Sequence, residues 1–450
     1  MYQSTRSEDG RSAASALLTG IAPDGGLFVN PEIEKIDLKT VLGKSYSEMA
    51  EIILNHFLPG FGGTAAKAAA AYAPKFDDPE ICPVKDAGGR HILELWHGPT
   101  SAFKDLALTV LPYYISAARE LEGVSENVSI LTATSGDTGK AALEGFHDVA
   151  GTDITVFFPH GGVSEMQRLQ MVTQEGSNVR VCAVRGNFDD CQRGVKESFA
   201  ANKGRKFLSS ANSINIGRLV PQIVYYFYAY SKIAKNGEML DFAVPTGNFG
   251  DILAGYMAKK AGLPVGRLIC VSNSNNVLYD FINTGVYDRR RGFVKTVSPS
   301  MDILVSSNLE RLLFYASHGN TKYVASLMEQ LNEKCWYKVD DEIMREIRND
   351  FDAQWCGEEE CKAAIGRLYA DTGYLQDTHT ACAFSKAPEG SVVLSTASPF
   401  KFPQAVSEAV GKDIYSLGIE PPKNLVGLEN RKILHTDVID KDEVVEYALS

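Results

Sequence analysis

The run Phe103-Lys104-Asp105 heads an apolar stretch, Leu106-Ala107-Leu108, and follows the loop His97-Gly98-Pro99-Thr100-Ser101-Ala102. A lysine so placed loses its proton readily on burial, and the free amine can attack a carbonyl or form a Schiff base. A lysine that snorkels outward from a helix start fits the same residues, so this loop decides nothing alone. Three other loops bear on it. Thr134-Ser135-Gly136-Asp137-Thr138-Gly139-Lys140 combines glycines, hydroxyls and the free amides of a helix expected to begin near Ala141. That set binds carboxylate or phosphate, and it also makes an ordinary capped turn. Pro245-Thr246-Gly247-Asn248-Phe249-Gly250-Asp251 has two glycines, which let a backbone fold tightly round an anion with successive N–H groups aimed at it. Ser395-Thr396-Ala397-Ser398-Pro399-Phe400-Lys401-Phe402 offers hydroxyls that suit a ring nitrogen or a helix cap.

Common nucleotide motifs do not account for these loops. Thr134 stands where a P-loop needs its first glycine, and Ala141 where it needs a magnesium-binding hydroxyl. The Gly247-to-Gly250 turn lacks the first glycine of the dinucleotide fingerprint. Taken together the four loops supply an amine for an aldehyde, a nest for a phosphate and a hydroxyl for a pyridine nitrogen. Pyridoxal 5'-phosphate (PLP) requires that set.

The elements that must position them alternate. Short apolar runs at 92–95, 128–133, 154–158, 179–184, 207–208, 242–244, 268–271 and 392–394 read as strands, with helical stretches between most of them. Continuous rather than alternating apolar character indicates strands covered on both faces, the mark of an open, mostly parallel α/β sheet. Ligands of such sheets sit at the carboxyl ends of strands, where all four loops fall. The first eighty or so residues read as a separate module, with a helix over 47–57 (Met49, Ile52, Ile53 and Phe57 on one side) and an alanine-rich second helix ending near Ala73. Asp77-Asp78-Pro79 then looks like a boundary.

A formal charge of −11, with no Lys/Arg-rich stripe, excludes a nucleic-acid binder but not a phosphorylated small substrate, because a pocket's field is set locally. The apolar runs are too short and broken to span a membrane, and the start lacks a secretory apolar core. Eight scattered cysteines without zinc-site spacing read as reduced thiols of a cytoplasmic protein.

The runs around Lys104, Ser135 and Gly247 resemble those of the threonine synthase family, a branch of the PLP fold-type II (tryptophan synthase β-like) enzymes. The likeness extends to Tyr2-Gln3-Ser4-Thr5-Arg6, Ala22-Pro23-Asp24-Gly25-Gly26-Leu27-Phe28, Asn212-Ser213-Ile214-Asn215-Ile216-Gly217-Arg218, Ser300-Met301-Asp302-Ile303-Leu304 and Asp377-Thr378-His379-Thr380-Ala381. It implies an N-terminal module (1–82), a large PLP-binding domain (83–115 and 215–450) and a small mobile domain (116–214). It implies that Lys104 holds PLP as a Schiff base, that Gly247, Asn248, Phe249, Gly250 and Asp251 wrap its phosphate, and that Thr396 meets the pyridine nitrogen. Asp137 stands where relatives in the wider fold place an asparagine near the PLP hydroxyl. Thr134, Ser135 and Thr138 are expected to hold the substrate carboxylate, and Asn212, Ser213 and Arg218 its phosphate. No metal is implied. The activity implied is a β,γ-replacement turning O-phospho-L-homoserine and water into L-threonine and phosphate, by a monomer or homodimer. A threonine or serine dehydratase-like lyase, or a non-catalytic relative that binds a phosphorylated ligand, is the alternative. Ser398 departs from the family's run, which carries histidine there.

Overall fold

A strand buried on both faces needs helices above and below it, which helix-connected parallel strands provide. Val128–Ala133 is such a strand, with all of its residues buried. In the computed structural model, which describes all 450 residues, two sheets of this kind form. The smaller runs, in spatial order, Asp437–Asp440, Val179–Arg185, Thr152–Pro159, Val128–Ala133 and Phe207–Ser210, all parallel. The larger runs Phe351–Trp355, Val265–Ser272, Leu240–Pro245, Val392–Ser395 and Arg90–Glu94 in parallel, and ends with Val84–Ala87 antiparallel to its neighbour. Seven of the eight apolar runs lie wholly in one of these strands, and the run 92–95 passes the end of Arg90–Glu94 by one residue.

The order of the larger sheet explains where its loops meet. From Leu240–Pro245 the chain builds outward in one direction, through Val265–Ser272 to Phe351–Trp355. Val392–Ser395 lies on the other side and pairs with Arg90–Glu94. A reversal of winding opens a crevice outside the carboxyl ends of the strands flanking it. Three of the four loops singled out above leave three adjacent strands at this point. The fourth leaves Val128–Ala133, inside the smaller sheet.

The helix Ile216–Ile233 runs through the middle of the molecule. Its residues 216–230 are all buried, and it packs against helices Gly250–Lys260 and Tyr46–Phe57. A helix apolar all round belongs inside a core. Asn215 starts it by accepting the Gly217 N–H at 2.9 Å, which fixes Arg218 in the first turn. No helix is long and apolar enough to cross a membrane.

Packing crosses two of the expected boundaries. The core of the first eighty residues is continuous with that of the larger sheet. A Ser45–Glu48 capping box starts the helix Tyr46–Phe57, whose Met49, Ile53 and Phe57 join the same apolar cluster as Phe242 and Leu253. Tyr2 at the chain start donates its hydroxyl to the Phe57 carbonyl at 2.6 Å. Apolar spacing shows that a helix face is buried, not what covers it. At the other end, residues 437–449 leave the large domain to which 215–450 was assigned. Asp437–Asp440 becomes the edge of the smaller sheet, and Val444 and Ala448 pack with Cys191 and Val195 of the helix Phe188–Ala201. That strand is mostly exposed, so no apolar run announces it. Phe351–Trp355 also escapes a periodicity reading, because it buries only Phe351 and Ala353.

Candidate active site

Lys104 is the first residue of the helix Lys104–Leu108, and its loop is held from two sides. Asp105 accepts the Thr100 N–H at 2.8 Å and the Thr100 hydroxyl at 2.6 Å, closing the turn before the lysine. The loop after Val392–Ser395 then zips onto it, with Phe103 N–H on the Thr396 carbonyl at 2.9 Å and Ser398 N–H on the Ser101 carbonyl at 3.1 Å. The Lys104 side chain is 11% exposed, with the Phe103 ring 4.5 Å from its Nζ and Asp137 Oδ2 3.7 Å away. Burial pushes its amine down to about 8, against the pull of Asp137 and helped by the charges of Lys401 and Arg218. An amine in that range is deprotonated in part near neutrality.

The turn after Leu240–Pro245 leaves an uncapped helix start facing the cavity. A Cβ on Gly247 would lie 2.9 Å from the Met301 Cα and 3.2 Å from the Ser300 carbonyl, so only glycine fits. Phe249 takes a left-handed conformation (φ 59°) at the start of the helix Gly250–Lys260, and no side chain caps that start. The first-turn amides, with the positive end of the helix dipole, are therefore free for an anion. The side chain of Asn248 holds the turn: its Oδ1 accepts the Ser307 N–H at 2.8 Å and its Nδ2 donates to Ser213 Oγ at 2.7 Å. The Asp251 carboxylate accepts the Tyr225 and Tyr226 hydroxyls, and burial lifts it to about 6. Its contribution to an anion is thus confined to its backbone.

In the smaller sheet the helix begins at Asp137 rather than near Ala141, spanning Asp137–Phe146. Thr134 Oγ1 accepts the N–H groups of Gly136 (2.9 Å) and Gly139 (2.8 Å), so this hydroxyl builds the turn. Gly136 (φ 136°) has Gln167 atoms where a Cβ would be, at 2.3 Å. Asp137 is held through both oxygens. Oδ1 receives Lys401 Nζ at 2.6 Å and Gln167 Nε2 at 2.9 Å, and Oδ2 receives Ser300 Oγ at 3.0 Å. Burial would raise this carboxyl, but Lys401, Lys104 and His379 outweigh it and hold it well below the usual range. His379 takes its Nδ1 to Asp377 at 2.9 Å and accepts the Ser300 N–H on Nε2 at 3.1 Å.

Arg218 is 2% exposed and donates to the Ala211 carbonyl, while its Nε has no partner. Burial lowers this guanidinium to about 10. A buried unpaired donor on a cation is costly unless an anion completes it. Asn212 and Ser213 behave differently. Asn212 clamps both backbone groups of Ala133, at 3.0 and 2.7 Å, and Ser213 Oγ accepts from Asn248 and Asn308.

The fourteen residues singled out by the sequence all line one cavity: Lys104, Thr134, Ser135, Asp137, Thr138, Asn212, Ser213, Arg218, Gly247, Asn248, Phe249, Gly250, Asp251 and Thr396. Ser300, Met301, Ile303 and His379 line it too, from runs marked only as family-like. Lys401 and Gln167, which act on the site through Asp137, carried no sequence signal beyond the loop that holds Lys401. An amine, a phosphate-sized amide cradle and a second cationic donor in one cavity can hold a phosphorylated aldehyde and a second anion side by side.

Comparison with known proteins points the same way. Residues 91–394 match the family described as "Pyridoxal-phosphate dependent enzyme", residues 1–64 "Threonine synthase N terminus" and residues 379–447 "Threonine synthase, C-terminal". The chain is 38% identical over 431 residues to "Threonine synthase-like 1" of Macaca fascicularis, covering 88% of this chain and 58% of that protein. It thus spans less than two thirds of the length of that relative. It is 40% identical over 425 residues to the threonine synthase of Pseudomonas aeruginosa, covering 91% and 90% of the two chains. A crystal structure of PLP-bound threonine synthase from Brucella melitensis matches with a TM-score of 0.89 at 38% identity, covering 100% of this chain and 98% of that one.

Proposed function

This chain belongs to the threonine synthase family of pyridoxal-phosphate-dependent enzymes, and from that premise we propose that it converts O-phospho-L-homoserine and water into L-threonine and phosphate. One observation carries the reading above the rest: a buried lysine and an uncapped, glycine-walled helix start share a cavity with a guanidinium whose Nε is unpaired.

The residues fit PLP. Gly247 leaves room for no side chain beside Met301, and the free amides at 247–251 suit its phosphate ester. Lys104 Nζ is the amine for its aldehyde, Thr396 the partner for its ring nitrogen, and Asp137, held ionised, the acceptor facing its hydroxyl. When bound, PLP supplies an electron sink beside the substrate's amino group.

The chain's own groups do the rest. Ser135 and Thr138, with the amides opening the helix Asp137–Phe146, bind the substrate carboxylate. Thr134 and Asn212 keep that turn and the strand ends in place, and Ser213 braces Asn248. Arg218 binds the substrate phosphate and stabilises it as it leaves, since a planar fork matches phosphate oxygens. Lys104 Nζ, once released, removes the proton from Cα and then one from Cβ. After the Cγ–O bond breaks and phosphate departs, it returns a proton to Cγ; water then adds its oxygen at Cβ and leaves its other proton to the phosphate, and Lys104 returns the last proton to Cα. Closure of the smaller sheet over the cavity would keep water out until that step. A cytoplasmic location goes with this reading and is supported by the eight cysteines, none of them paired.

Competition between substrates tests the reading. PLP-loaded protein is expected to release threonine and phosphate from O-phosphohomoserine, and Lys104→Ala to release neither. Faster formation of 2-oxobutanoate from threonine would assign a dehydratase instead.

A further inference from the structure

Lys401 is wholly buried and does not line the cavity, so it touches no ligand there. A cation placed in a core costs desolvation that an apolar residue of similar size avoids, and such a placement calls for a reason. Its contacts give one. Its Nζ meets Asp137 Oδ1 at 2.6 Å and donates to the Thr100 carbonyl at 3.1 Å. One ammonium thereby joins the loop of Lys104, the loop of Asp137 in the smaller sheet, and the turn Pro399–Lys401 that carries it. Gln167 fills the remaining direction of Oδ1 at 2.9 Å, and Ser300 takes Oδ2 at 3.0 Å. Lys104 Nζ, at 3.7 Å from Oδ2, lies within Coulomb range of the carboxylate but outside hydrogen-bond range.

The charged groups that face Lys104 are few. They are Asp137 from the helix Asp137–Phe146, Arg218 from Ile216–Ile233, Asp251 from Gly250–Lys260 and Lys401 from its own turn. His379 faces Asp137 on the far side and is tied to Asp377 and to the Ser300 N–H. Asp137 is the nearer carboxylate, and without a resident cation it would serve Lys104 as a dedicated counter-ion.

We propose that Lys401 is a positioning residue for Lys104: a permanent buried cation that neutralises Asp137 and pins the loops of both sheets together, so that the reactive amine meets an ion pair rather than a bare carboxylate. The inference rests on the assignment of Lys104 made above. Asp137 remains the anion of the site while its charge is spent on Lys401, which leaves Lys104 free to lose its proton.

The test follows the amine and not turnover. Full-length protein stripped of cofactor is incubated with pyridoxal phosphate across a pH series, reduced with borohydride, and mapped by mass spectrometry for label on Lys104. The midpoint of labelling rate against pH is expected to lie about one unit or more higher in K401M than in the unsubstituted chain, or roughly tenfold less label at a pH below both midpoints. In the D137N background, where no carboxylate is left to neutralise, adding K401M is expected to leave the midpoint where D137N alone puts it. K401Q, which removes the charge but can still donate to the Thr100 carbonyl, takes the place of K401M should that variant not fold. A K401M or K401Q midpoint at or below that of the unsubstituted chain, or a rise in the D137N background as large as in the unsubstituted one, would overturn the proposal. Label absent from Lys104, or found on Lys401, in the unsubstituted chain would instead sink the assignment of Lys104 and the proposed function with it.

Discussion

Arg218→Met removes the guanidinium of the cavity, whose buried Nε is unpaired, while keeping a long apolar stem in the first turn of the helix Ile216–Ile233. Hydrogen bonds between charged groups contribute about 1.5–3 kcal/mol each. A two-pronged grip on a phosphate therefore contributes about 3–6 kcal/mol, which is on the order of a hundredfold to ten-thousandfold in kcat/KM. The effect on the fold is far smaller. The Ala211 carbonyl loses its donor, at a cost of about 1–3 kcal/mol, but the burial penalty of a guanidinium with an unpaired Nε is relieved at the same time. The variant is thus expected to melt within a few degrees of the unsubstituted chain and to bind PLP normally, while kcat/KM for O-phosphohomoserine collapses and inorganic phosphate ceases to inhibit. Arg218→Lys restores a charge without the fork and should recover only part of the loss. Unchanged kcat/KM and phosphate inhibition in Arg218→Met would refute the assignment, as would a loss confined to PLP affinity.

Three further outcomes follow from the same geometry. Gly247→Ala would push a methyl group against the Met301 backbone at 2.9 Å, so affinity for PLP, read by fluorescence titration, should fall by at least about tenfold as the cradle shifts. His97 sits between Asp77 (2.8 Å) and Glu94 (2.9 Å), whose hydrogen bonds overcome burial and raise it to about 9. Its stabilising effect is complete below the unfolded value near 6.5 and is lost as pH rises through about 9. His97→Gln should therefore lower the stability at pH 6 by about 2–3 kcal/mol, read by denaturant unfolding, with the gap closing by about pH 10. Asp251 has the opposite sign. Burial raises its carboxyl to about 6, so the fold holds its proton more tightly than the unfolded chain does, and stability falls as pH rises from about 4 to 6. Cofactor-free Asp251→Asn should melt higher than the unsubstituted chain at pH 7.5 and equal to it near pH 3.5.

The four loops were legible because their chemistry is local. Glycines, hydroxyls and a lysine next to strand ends announce themselves, and a parallel sheet gathers its strand ends on one side. What each side chain does there depends on neighbours far away in the chain. Thr134, Asn212, Ser213 and Asn248 have the right residue types for ligands, yet their polar atoms meet backbone groups or each other. Only the register of Val128–Ala133 against Phe207–Ser210 brings Asn212 to Ala133. Lys401 and His379 lie in stretches already marked, but more than 240 positions separate them from Asp137, and no local pattern foretells that encounter. Arg218 differs from Asn212 in being a buried cation within an apolar helix, with a donor left unpaired. The edge strand Asp437–Asp440 is polar and short, and its pairing is set by the smaller sheet rather than by its own composition.

If this cavity replaces a γ-phosphate by a β-hydroxyl, with Lys104 moving the protons, the new oxygen of the product comes from water. Turnover of O-phosphohomoserine in ¹⁸O-water, with products weighed by mass spectrometry, reads where that oxygen goes. One heavy oxygen is expected in threonine, with an equal amount of phosphate that keeps all its original oxygens, and neither product from Lys104→Ala. Heavy oxygen in the phosphate beside unlabelled homoserine would instead mean plain phosphoester hydrolysis and would rule the replacement out.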